Sequence, residues 1–188
     1  MKKHFGVAVL TVVALAMAFT ACAVKPQAAI DAAQASVAAV VNAGADKYAP
    51  AELKTIQDNL TAALDQVTNK KYKEAAQALA TIKTDADNLL AAIPAKIEAA
   101  KTSALGLQTA VQAALTEVKT LFDKNKLKIK QADRKAVETE MTGLNGALPE
   151  VQTAVDGQDW IGAASKATTL KDSAAALLEK INKLLGKK

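Results

Sequence analysis

Apolar residues return every three or four places along almost the whole of this chain, and that spacing limits what it can fold into. The series Tyr72, Ala75, Leu79, Ile82, Ala86, Leu89, Ile93 steps alternately by three and four. It runs on through Ile97, Ala100, Ala104, Leu107, Val111, Ala114, Val118 and Leu121, and returns in Trp160, Ala163, Ala167, Leu170, Ala174, Leu177, Ile181 and Leu184. Shorter stretches, from Ile30 to Val40, Leu53 to Val67 and Val137 to Val155, keep the same beat. A helix of 3.6 residues per turn gathers each series onto one stripe and turns the polar residues to water. Held over several heptads, such a stripe is a coiled-coil-like seam. Nearly a quarter of the residues are alanine and only 3% are aromatic, so strong helix formers line seams narrow enough for close axis-to-axis approach. Val and Ile do not alternate with polar residues, and strand signals are absent. The expected fold class is all-α, an up-and-down antiparallel helical bundle.

Gaps between the stripes mark the helix ends. Asn42 to Asp46, with Gly44, closes a first helix, and Pro50 suits the first turn of a second. The reading gives helices over Gln27–Ala43, Pro50–Thr68, Tyr72–Ile93, Ala95–Phe122, Gln131–Asp156 and Trp160–Leu185. Pro94 stands between the third and fourth, as a tight turn or as a kink in one long rod. Gly143, Gly146 and Pro149 predict a kink or break in the fifth. Sliding the chain by 88 residues aligns Ala51–Ile93 with Thr139–Ile181 without a gap, with 11 of 43 positions identical. Two repeated three-helix units follow, over residues 22–94 and 95–188.

The first 21 residues read as something other than a packed element. Lys2 and Lys3 are followed by an apolar run from Phe5 to Phe19 and then by Thr20-Ala21-Cys22. That order is a secretory signal peptide, too short and wrongly flanked for a membrane span. A cysteine directly after the small residues resembles the lipobox of bacterial lipoproteins, with Phe19 where an aliphatic residue is usual. The resemblance implies cleavage before Cys22, a diacylglycerol thioether and an N-acyl chain on Cys22, and no other cofactor. Ala23, where aspartate would retain many such proteins in the inner membrane, implies the periplasmic face of the outer membrane. The alternative is an ordinary secreted chain in which Cys22 is a free thiol.

Cleavage there would leave little for catalysis to use. The only histidine, His4, and the only cysteine would both be unavailable, which excludes zinc sites, disulfides and Ser-His-Asp or Cys-His chemistry. Carboxylates, lysines, hydroxyls and Arg134 remain, and no carboxylate pair suggests acid-base catalysis: Glu138 and Glu140 lie two apart and do not share a helix face. The formal charge of +5 falls to +3 without Lys2 and Lys3. It is built from lysine without aromatic platforms, so nucleic acid is not an expected partner.

Ala43-Gly44-Ala45-Asp46-Lys47-Tyr48-Ala49-Pro50-Ala51-Glu52-Leu53, with Lys71-Tyr72-Lys73-Glu74-Ala75-Ala76, resembles an uncharacterised Ala-rich helical lipoprotein domain of Gram-negative envelopes. The resemblance covers about a third of the chain, from Ala28 to Ile93. That domain sometimes stands beside an OmpA-like peptidoglycan-binding module, which this chain lacks. The second unit departs from it, with Arg134-Lys135-Ala136-Val137-Glu138 where Tyr48-Ala49-Pro50 would fall. The resemblance implies an envelope location and carries no site residues.

Four features are candidates for contact with something else. Cys22 is the lipidation site. Lys188 invites comparison with Braun-type lipoproteins, which join peptidoglycan covalently through a terminal lysine; the usual Tyr-Arg before it is missing, and a basic tail also complements a helix dipole. Lys124, Lys126, Lys128, Lys130, Arg134 and Lys135 form the densest basic stretch, a contact for headgroups or acidic glycans, or a solvated loop. Tyr48, Tyr72 and Trp160 are a ligand platform or large core anchors among alanines. The expected function is a lipid-anchored, non-enzymatic spacer, scaffold or adaptor, with peptidoglycan or envelope proteins as partners and a homo-oligomer open. The alternative of another class is a carrier holding an apolar ligand between its helices.

Overall fold

Residues 24–186 are described by the computed structural model. They fold into α1 (Gln27–Asn42), a single turn α2 (Ala45–Tyr48), α3 (Pro50–Thr68), α4 (Tyr72–Asn125), α5 (Gln131–Asp156) and α6 (Trp160–Leu184), with a 3-10 turn at Lys126–Lys128. No strand occurs among the described residues. The all-α expectation holds, and four of the expected helices, α1, α3, α5 and α6, keep their bounds to within a residue.

The third and fourth expected helices are one. α4 runs for 54 residues and continues through Pro94 without a break, a contour of about 80 Å at 1.5 Å per residue. Proline removes one backbone donor and crowds the carbonyl four residues back. Pro94 is exposed, whereas Ile93 beside it is 1% exposed. The disrupted backbone therefore faces solvent, and the seam passes behind it unbroken. α5 likewise continues without a break through Gly143, Gly146 and Pro149. Gly143, Gly146 and Pro149 follow one another at intervals of three, and all three are exposed. Leu144, Ala147, Leu148 and Val151 hold the opposite face against the core.

Cross-helix bonds fix the arrangement. Lys96 on α4 reaches Glu52 at the start of α3 at 2.6 Å, and Gln108 reaches Gln152 on α5 at 2.6 Å. Lys166 and Lys180 on α6 bond Glu150 and Glu140 on α5. α1 packs against α4, with Ser36 on α1 close enough to Asp87 to help hold its carboxyl down. α3 and α5 thus run antiparallel to α4, while α1 lies beside its first half and α6 beside its second, both parallel to it. Two cores result. Ile30, Val40, Ile56, Leu79, Ile82 and Ile93 belong to the first; Val111, Val118, Phe122, Val137, Leu170 and Ile181 belong to the second. Both are built wholly from residues between Ala29 and Leu185, and α4 is the element they share.

The 88-residue repeat is a repeat of structure. The buried residues of the first half of α4, Ala75, Leu79, Ile82, Ala86, Leu89 and Ile93, map one for one onto those of α6, Ala163, Ala167, Leu170, Ala174, Leu177 and Ile181. The turns map as well. Lys70 and Gln158, 88 apart, both have φ of 58°. Each donates to a valine carbonyl three residues back, Val67 and Val155, at 3.0 Å. Lys71 and Asp159 close the outer bond of the same motif on Gln66 and Ala154, at 2.9 Å in both.

Candidate functional site

The topology sends the two ends of the described chain to opposite ends of a rod. Val24, 85% exposed, precedes α1, which starts beside the first turns of α4. Gly186 follows α6, which finishes beside the last turns of α4. Cys22 and Lys188 themselves lie outside the described residues.

The basic stretch sits at the same end as Gly186. Lys124, Lys126, Lys128 and Lys130 are all exposed, as is Lys135, and Arg134 is half-buried. Lys126 makes a 3.9 Å ion pair with Asp123; the other five basic residues make none among the described residues. The Nε of Arg134 is covered and has no hydrogen-bond partner. Within the stretch, Ile129 is 4% exposed and plugs the second core, while Leu127 is 86% exposed. Nothing in their spacing distinguishes them, because this linker leaves the helical period that sorts inside from outside elsewhere.

Tyr48, Tyr72 and Trp160 do not converge. All three are half-buried. Tyr72 opens α4 at one end of the rod, while Trp160 opens α6 about halfway along it. Tyr72 and Trp160 are therefore separate, each at a helix start.

Interhelical surfaces carry shallow grooves rather than chambers. The groove between α5 and α6, about 320 Å³, is lined by Leu144, Ala147, Val151 and Leu170 with exposed Glu150, Ser165, Lys166, Thr169 and Ser173. Another of about 290 Å³ lies between α3 and α4. The titration shifts belong to surface ion pairs. Lys96 bonded to Glu52 holds that carboxyl below its ordinary value, and Lys83, helped by Ser36, does the same for Asp87. Lys119 lowers Asp123, Lys166 lowers Glu150 and Lys183 lowers Glu179. Among the described residues no three His, Cys, Asp or Glu side chains are grouped to hold a metal ion, and no helix is long and apolar enough to cross a membrane.

No family model, curated protein or solved structure matches this chain.

Proposed function

We propose that this chain is a lipid-anchored, non-enzymatic spacer on the periplasmic face of the outer membrane, held by acyl chains on Cys22. The observation that carries the reading is the placement of Val24, two residues from Cys22, at one end of a rod about 80 Å long. A lipid attached there would stand the helices away from the bilayer and present the opposite end to whatever lies beyond. Three acyl chains, at about 0.8 kcal/mol per buried methylene, exceed what stable anchoring requires. Open grooves edged with charged and hydroxyl side chains suit a spacer better than a carrier, which needs an apolar chamber that buries most of its ligand.

Replacing Cys22 with serine tests the anchor. The expected result is movement of the protein from the membrane fraction to the soluble periplasmic fraction, with loss of the acyl mass from the N-terminal peptide. Unchanged membrane retention without any lipid on Cys22 in the parent protein sinks the reading. The covalent variant, a muropeptide on Lys188, is favoured by the position of Gly186 at the end remote from Val24. Mass spectrometry of material released by lysozyme from boiled sacculi would detect it.

A further inference from the structure

We infer that the end of the rod formed by the α4–α5 linker is a docking tip for an anionic lipid bilayer, with Leu127 as its inserting residue. The inference rests on the fold and not on lipidation of Cys22.

Charge is sorted along this molecule. Between Lys124 and Lys135 there are six basic residues and one acid, Asp133. Everything else in the described chain carries 14 lysines against 18 acids, so the tip is strongly positive and the body mildly negative. Among the described residues no ion pair neutralises the tip beyond the 3.9 Å contact of Lys126 with Asp123. Along the body, by contrast, lysines are matched to carboxylates at Lys54–Asp58, Lys83–Asp87, Lys96–Glu52, Lys166–Glu150 and Lys183–Glu179.

The linker is also built differently from its relatives in the fold. Asn69–Lys71 and Gly157–Asp159 join their helices by the same closed three-residue turn. The α4–α5 connection instead takes a 3-10 turn and reaches Ile129 before α5 begins. Ile129 alone satisfies the core there, so Leu127 is free of any packing duty. An 86% exposed leucine between Lys126 and Lys128 has the form of an interfacial contact: an apolar side chain to enter the acyl boundary and cations around it for headgroup phosphates. Acidic glycan would reward the lysines and leave Leu127 in water, and this favours the bilayer.

The test uses the chain from Ala23 to Lys188, which keeps both cores and cannot be lipidated. It is sedimented with vesicles of phosphatidylcholine alone or doped with phosphatidylglycerol. Binding is expected only to the anionic vesicles and weakens as salt screens the surface. Each of Lys124→Gln, Lys128→Gln and Lys130→Gln should weaken it about fivefold. Leu127→Ser should weaken it about tenfold without changing charge, and its melting temperature should match the parent because Leu127 lies outside the core. Equal binding to neutral and anionic vesicles, or none to either, overturns the inference. So does a Leu127→Ser variant that binds the anionic vesicles as well as its parent, or capture by purified sacculi with no capture by vesicles, which would make the partner a glycan.

Discussion

Whether a helix-breaking residue breaks a helix here depends on which way it faces. Gly143 and Gly146 sit inside α5 with helical backbone and with nothing within 4 Å of an added Cβ. Their flexibility serves no close approach and no left-handed turn, unlike that of Gly44, whose φ of 89° ends α1. Glycine in a helix interior costs roughly 0.5–1 kcal/mol relative to alanine, mainly through the entropy of the unfolded chain. Gly143→Ala and Gly146→Ala are therefore each expected to stabilise the protein by about that amount. The effects should add in the double variant only approximately, since the sites are neighbours on one face. Urea titration reads this directly, as a rise in midpoint at unchanged slope. A loss of stability in either variant would mean that the face carrying Gly143, Gly146 and Pro149 is covered in solution.

Among the elements, the helices whose ends are punctuated in sequence were legible, and an interior breaker left it open whether the chain breaks there or runs on. Pro50 and Thr68 bound α3 as the stripe and the proline rule foretell. Pro94 and Pro149 look the same as Pro50 in a linear pattern, and only tertiary packing reveals that both lie on solvent faces of longer helices. α2 was missed because a single turn has no period to detect. The hairpin turns fall in the gaps left between the expected helices, but their shared left-handed residue was not legible, since neither Lys70 nor Gln158 is a type that favours φ of 58°. That conformation yields a paired prediction. Lys70→Gly and Gln158→Gly relieve the same backbone strain in the same hydrogen-bonded motif. Each should stabilise the protein by about 1 kcal/mol, the relief of the left-handed backbone being partly offset by glycine's greater freedom in the unfolded chain. Thermal unfolding of the two single variants should give closely similar shifts. Opposite signs would show that the two turns do not repeat one geometry.

At the scale of the whole molecule, the seams predicted helices and short loops predicted antiparallel neighbours, but neither could say whether six stripes close into one bundle or line up as two. The continuity of α4 decides it. α1 and α3 pack on its first half and α5 and α6 on its second, so the two cores share a helix and no core residue. The candidate contact sites inherit their meaning from that decision. As entries in a sequence, the stretch from Lys124 to Arg134 and the segment at Cys22 are merely distant; on a shared helix of 54 residues, Val24 and the basic linker come to lie at opposite ends. The arrangement has a direct solution signature. A compact domain of this many residues has a radius of gyration near 15 Å. A rod about 80 Å long and as thick as three packed helices has one of about 24 Å, because its mass is spread along its axis. Small-angle scattering from the chain starting at Ala23 should give a value close to the second, at concentrations low enough to show no change on dilution. A value near 15 Å would require α4 to fold back at Pro94, bringing the two cores side by side and the basic linker next to Val24. The spacer reading would then lose its geometric support, while the vesicle contacts of Leu127 would still have to be judged on their own measurement.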